Sequence, residues 1–97
     1  MPPAIHPGEF LADELDELGI TGAQAAREMG MPQSRISNIL RQRTGITADT
    51  AIRLGQWLGT GPEIWLNMQK TYELRLAEQS GGDAIRAHVR RHVRQTA

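Results

Sequence analysis

The sequence contains no cysteine and no apolar run of the roughly 18 residues that a membrane-spanning helix needs. The absence of cysteine excludes disulfide bonds, a thiolate nucleophile and a cysteine-ligated zinc site. The amino terminus, MPPAIHPGEF, has neither a basic leader nor the apolar core of a signal peptide, so we expect the chain in the cytoplasm. A length of 97 residues is enough for one small domain with a single core.

The chain also lacks net charge, because 11 lysine and arginine residues balance 11 aspartate and glutamate residues. These charges are segregated along the sequence. Residues 1–19 contain five carboxylates and no lysine or arginine, residues 20–60 contain five arginines and two carboxylates, and residues 61–97 contain six cations and four carboxylates. Since binding responds to local potential, zero net charge does not exclude a nucleic-acid partner. The competing interpretation is that each cluster is an ordinary solvated helix face.

The apolar pattern predicts an all-α fold. No segment keeps the alternation of a β-strand, whereas apolar residues recur at helical spacing between glycine and proline breaks. Start and stop signals place five helices, namely Pro7 to Gly19, Thr21 to Met29, one within 31–43, Thr47 to Gly59, and the capping box Thr60-Gly61-Pro62-Glu63 to about Gln79. The predicted inward residues are Leu11, Leu15, Leu18, Ala25, Ala26, Ile36, Ile39, Leu40, Ala51, Ile52, Leu54 and Leu58, with Ile64, Trp65, Met68, Tyr72 and Leu76 along the fifth helix.

The fifth helix is expected to end at Ser80-Gly81-Gly82, which divides the chain into a domain over residues 1–79 and a basic tail over residues 80–97. Two interpretations of residues 83–97 remain open. The segment forms a short amphipathic helix on Ala84, Ile85, Val89 and Val93, or it is partly disordered because it has few apolar residues and four arginines.

The stretch MPQSRISNILRQR, residues 31–43, is the main functional signal. Two short helices separated by Gly30-Met31-Pro32 fit a helix-turn-helix, in which the second helix enters the major groove of DNA. With Ile36 and Ile39 inward, the opposite arc carries the amides and hydroxyls that hydrogen-bond base edges. Pro32 is expected in the first helical turn, where its fixed φ suits a helix.

Three segments together resemble the HigA family of antitoxins, within the lambda-repressor-like class of five-helix DNA-binding domains. They are HPGEFLADEL at residues 6–15, the turn region at residues 21–43, and ITADTAIRLGQWLGTGPEIWLNMQKTYEL at residues 46–74. The resemblance covers about residues 5–76. It implies a dimer that binds a palindromic operator, represses its own operon and neutralises a partner toxin, an mRNA-cleaving ribonuclease of RelE-like fold.

The resemblance also implies site residues. The positions matching the family's base-reading sites are Gln33, Ser34, Ser37 and Asn38, and those matching its phosphate contacts are Thr21, Arg41, Arg43 and Thr44. Two departures from the family pattern weaken the transfer. Pro32 stands where members often have serine or threonine, and Gly22 stands where related repressors commonly offer a glutamine to a phosphate.

The protein partners are assigned to two further surfaces. Asp13, Asp16 and Glu17 share an outer helix face that would attract a basic ribonuclease, with the tail at residues 83–97 as the competing surface. The stripe Trp65, Tyr72 and Leu76 is either core or a contact between the two copies of a dimer.

Enzymatic activity is not expected, nor is a cofactor or metal. His88 and His92 have the i, i+4 spacing of a chelate but lack a third ligand, and His6 is expected to support the first helix rather than to catalyse. The alternative function is a free-standing repressor with no toxin partner.

Overall fold

The computed structural model describes residues 2–94 and is helical throughout its regular structure. The helices are α1 (Pro7–Leu18), α2 (Gly22–Met29), α3 (Gln33–Leu40), α4 (Ala48–Leu58), α5 (Glu63–Ala77) and α6 (Asp83–His88), and a wide turn over Glu78–Gly82 joins the last two. Residues 2–94 contain no strand, so the all-α prediction is confirmed. No helix in this range combines the length and the apolarity that crossing a bilayer requires.

Local capping explains most of the helix boundaries. The helices α1, α2 and α4 each begin behind a side chain that accepts a backbone N–H, and each ends at a glycine in the left-handed conformation. The three acceptors are His6 Nδ1, Thr21 Oγ1 and Thr47 Oγ1, and the three glycines are Gly19, Gly30 and Gly59. These predicted boundaries are confirmed.

One core joins all five main helices. Leu11 and Leu15 of α1, Ile36 and Ile39 of α3, and the indole of Trp65 on α5 are buried together. The remaining members of the cluster are Ala25, Ala26, Met29, Met31, Ile46, Ala51 and Leu54. Because α3 supplies two buried isoleucines on one side, its opposite side is held facing outward.

Four residues predicted to point inward are exposed, and two of them, Ile64 at 44% and Leu76 at 46%, lie on α5. Leu18 is 52% exposed because it lies in the last turn of α1, beyond the buried cluster, which on this helix ends with Leu15. Ile52 is 62% exposed because the buried arc of α4 is centred between Thr50 and Gly55, and Ile52 falls outside it.

The predicted starts of α3 and α5 need correction. Pro32 is not in the first turn of α3 but precedes it as the N-cap, in an extended conformation with ψ of 139°. The capping box at Thr60 is wrong, because no side chain caps α5, which begins at Glu63 after Pro62. The hydroxyl of Thr60 instead accepts a hydrogen bond from Trp65 Nε1 at 3.2 Å, which satisfies the buried indole.

The predicted break after α5 is confirmed. The helix ends at Ala77, and within the wide turn that follows Gly81 has non-helical dihedral angles, φ of −173° and ψ of 17°, which kink the chain before α6. Val89 is extended and residues 89–94 have no regular secondary structure, so the described part of the tail forms only the short helix α6 followed by an irregular segment. The last three residues of the predicted tail, 95–97, lie outside the described residues.

The carboxyl end of α3 contains a strained position that the sequence did not predict. Gln42 adopts φ of 62°, where a side chain costs about 1 kcal/mol relative to glycine. Around it, the amide of Arg43 donates to the carbonyl of Asn38 at 2.9 Å and closes the helix end.

We predict that Gln42→Gly raises the free energy of unfolding by about 1 kcal/mol, because it removes this strain without disturbing a core contact. Urea denaturation monitored by circular dichroism measures the change. Gln42→Ala is the matched control and should leave stability close to wild type, since alanine retains the β-carbon. A glycine variant no more stable than the alanine variant would contradict the prediction.

Candidate nucleic-acid interface

The outer side of α3 forms a ridge between two surface grooves. One groove is lined by Pro32, Ser34, Arg35, Asn38, Thr44, Gly45, Thr47, Asp49 and Thr50. The other is lined by Thr21, Gly22, Ala23, Gln33, Ile36, Ser37 and Leu40. The structure therefore distributes the four predicted base-reading residues over both flanks of one ridge. Gln33 and Ser34 are exposed, whereas Ser37 and Asn38 are half-buried.

The predicted phosphate contacts lie around this ridge. Arg41, Arg43 and Thr44 are exposed where the chain leaves α3, and among residues 2–94 neither arginine forms a salt bridge. Thr21 lies at the start of α2, where its Oγ1 accepts the amide of Gln24 at 3.1 Å. The first amides of α2 have no partner within the helix, and such a terminus favours an anion.

A charged cluster that was not predicted from the sequence fixes α3 relative to its neighbours. Arg53 Nη1 donates to the carbonyls of Met29 and Gly30, at 2.9 and 3.0 Å, and thereby closes the end of α2. Its Nε donates to Asp49 Oδ1 at 2.8 Å, and Arg35 Nη1 on α3 donates to the same oxygen at 2.8 Å. The two guanidinium groups, Arg53 first, lower the pKa of Asp49 from its ordinary value. The i, i+4 spacing of Asp49 and Arg53 was the available signal.

A second missed residue, Gln69, holds the loop that follows the ridge. Its Oε1 accepts the amide of Ile46 at 2.8 Å, and its carboxamide packs so closely against Gly45 that a β-carbon there would require the carboxamide to shift. Gln69 lies on α5, more than 20 residues away from the loop. No local pattern in the sequence indicates this contact.

The acidic residues of α1 belong to a different helix from the ridge and are exposed to solvent. Asp13, Asp16 and Glu17 are all exposed, and no salt bridge within residues 2–94 engages them. Their charge is therefore available to a partner.

The predicted dimer stripe is only partly available. The prediction that Trp65 contacts a second copy is wrong, because its side chain is fully buried in its own core and packs edge to face on Phe10. Tyr72 is half-buried, with its ring 4.9 Å from that of His6. Leu76 is 46% exposed.

The histidines have structural positions. His6 is buried and its Nδ1 accepts the amide of Gly8 at 2.9 Å, which confirms its expected role in supporting α1. His88 is the last residue of α6, so His92 does not share a helix face with it. Within residues 2–94 no group of three or more histidine, aspartate or glutamate side chains has the geometry of a metal site.

Comparison with known proteins places this geometry in a family. The helix-turn-helix family HTH_3 matches residues 11–65. Antitoxin HigA-1 of Vibrio cholerae is 40% identical over 71 residues, which cover 72% of this chain and 67% of the relative. The chain belongs to the HigA family of helix-turn-helix proteins. A further relative, virulence-associated protein I of Dichelobacter nodosus, is 47% identical over 79% of this chain and 72% of its own length.

Among solved structures, that of antitoxin GraA in complex with its operator is similar to this HigA-family chain. It has a TM-score of 0.89 and 47% sequence identity, with 97% of this chain and 95% of that chain covered. The lambda-repressor-like helix-turn-helix prediction is thus confirmed.

We predict that Gln69→Ala destabilises the domain by about 1–3 kcal/mol, because it leaves the part-buried amide of Ile46 without an acceptor. Gln56→Ala removes an exposed glutamine from α4 and is the matched control, expected within about 0.5 kcal/mol of wild type. Chemical denaturation compares the two variants, and equal stabilities would contradict the assigned role of Gln69.

Proposed function

We propose that the chain is an antitoxin that binds operator DNA through α3, represses its own operon and neutralises an mRNA-cleaving toxin of RelE-like fold. The observation that carries the DNA-binding part is the ridge of α3, which presents short amides and hydroxyls between two grooves, with two unpaired arginines at its end among residues 2–94. The family membership supports the same assignment, since GraA has been solved with its operator.

The division of roles follows from chemistry and position. Gln33, Ser34, Ser37 and Asn38 would contact base edges in the major groove, because carboxamides and hydroxyls match the donors and acceptors there. Arg41, Arg43 and Thr44 would hold phosphates on one side of the ridge. On the other side, Thr21 and the free amides of α2 would do so, which compensates for the missing glutamine side chain at Gly22.

A homodimer fits a palindromic operator. Two copies would place their α3 helices about 34 Å apart, one turn of the duplex. Tyr72 and Leu76 remain the candidate contact residues on α5, since both retain exposed surface.

We assign the toxin to the acidic face of α1, defined as Asp13, Asp16 and Glu17. A ribonuclease needs a basic surface to bind RNA, so three carboxylates that form no salt bridge within residues 2–94 would attract it and accelerate association. The competing surface is the basic tail at residues 83–97, of which residues 83–94 are exposed.

We predict that Arg41→Ala weakens operator binding and lowers the slope of log K against log salt by about one, because one phosphate contact is lost. Fluorescence anisotropy at several salt concentrations, with the DNA upstream of the gene, measures both quantities. Arg86→Ala is the matched control, since Arg86 lies on α6 and pairs with Glu78. A salt slope identical to wild type would exclude a phosphate contact by Arg41.

We predict that replacing Asp13, Asp16 and Glu17 by lysine weakens toxin binding and flattens its salt dependence. The measurement is calorimetry with the small basic protein that we expect the adjacent gene to encode. A second variant, with Arg90, Arg91 and Arg94 replaced by glutamine, tests the competing surface. Unchanged affinity of the lysine variant across the salt range removes the acidic face from consideration, and the absence of any binding by wild type favours the repressor without a toxin.

A further inference from the structure

Arg35 lies on the flank of the α3 ridge but is absent from the base-reading residues that the family resemblance supplies. We propose that Arg35 is a further specificity-determining residue that reads a guanine at the edge of each operator half-site, and that Asp49 is its positioning residue. This inference rests on the proposed operator binding and extends it by one base contact.

The placement of Arg35 puts it in reach of the same DNA groove as the other readers. At 100° per residue it follows directly after Ser34 and Asn38 around the helix, between the outer arc and the buried Ile39. Its side chain is 40% exposed and lines the groove that Ser34 and Asn38 also line. A side chain on this flank of α3 would therefore contact a base adjacent to those contacted by Ser34 and Asn38.

The chemistry of the pair suits guanine. An arginine fork donates two hydrogen bonds to O6 and N7 of guanine, the commonest specific contact in the major groove. Arg35 uses one N–H to reach Asp49 Oδ1 at 2.8 Å, which leaves four of its five donors for a base edge. Holding the guanidinium in advance also reduces the rotamer entropy that binding would otherwise remove.

Asp49 is itself held in place. It lies in the first turn of α4, where the helix dipole favours a carboxylate, and its Oδ1 also accepts Arg53 Nε at 2.8 Å. Since Arg53 is bonded to the carbonyls of Met29 and Gly30, the chain of contacts runs from the turn before α3 to the guanidinium of Arg35. The carboxylate also repels phosphates at this edge of the groove, which discourages Arg35 from binding the DNA backbone instead of a base.

The experiment uses the full chain and a duplex from the DNA upstream of its gene, with the protected sequence defined by footprinting. Each G·C pair in that sequence is replaced in turn by A·T, and the dissociation constant is measured for wild type, Arg35→Ala, Arg35→Lys and Asp49→Asn. We expect wild type to lose about 5- to 150-fold in affinity at one symmetry-related pair per half-site. Arg35→Ala and Arg35→Lys should bind the G·C and A·T duplexes at that pair with nearly equal affinity. Asp49→Asn should still prefer G·C there, but by a smaller factor than wild type.

Arg43→Ala is the matched control, because loss of a phosphate contact weakens binding to every duplex by the same factor. Circular dichroism checks that each variant is folded. If Arg35→Ala does not fold, Arg35→Lys, which retains the positive charge, carries the test. A discrimination profile of both Arg35 variants equal to that of wild type, or a uniform loss on all duplexes, overturns the inference. Wild type that binds the upstream DNA no better than a random duplex overturns the proposed function as well.

Discussion

The burial of Ile36 and Ile39 is the interaction on which the proposed DNA-binding surface depends. A helix of eight residues is not stable alone, and each buried isoleucine contributes about 1.5–3 kcal/mol to holding it. Gly8 allows α1 to approach so closely that a β-carbon there would collide with the carbonyl oxygen of Ile39. The orientation of the ridge is therefore set by the core beneath it and by a contact with the backbone of α3 itself.

Polar contacts complete this support from the other sides. Arg53 joins the end of α2 to Asp49 and, through it, to Arg35, while Gln69 holds the loop after α3 by the amide of Ile46. Hydrogen bonds of this kind contribute modestly to stability, but each leaves an unsatisfied buried group or an unpaired charge if it is removed. The main effect of these polar contacts is to fix the orientation of α3, and their contribution to the stability of the fold is smaller.

The sequence predicted what depends on neighbouring residues. Caps such as Thr21 and stops such as Gly30 are local, and so the boundaries of α1, α2 and α4 and the outward-facing side of α3 followed from spacing. Features set by residues distant in the chain were not predictable, and the bond from the amide of Ile46 to Gln69 is an example. The bond from Trp65 to Thr60 spans only five residues, but it depends on burial of the indole, which helical spacing alone does not give. The exposure of Ile52 has another cause. Helical periodicity predicts which side of a helix faces the core, but not how wide an arc of that side the neighbouring helices cover.

The position of Trp65 and Gln69 late in the chain has a consequence for folding during synthesis. The ridge of α3 is complete in sequence at Leu40, yet the indole at the centre of its core and the carboxamide that holds its exit loop arrive 25 and 29 residues later. At a translation rate of about 5–20 residues per second, this interval lasts roughly one to six seconds. A nascent chain on the ribosome thus carries the residues of the proposed DNA-binding surface before it can hold them in their final geometry.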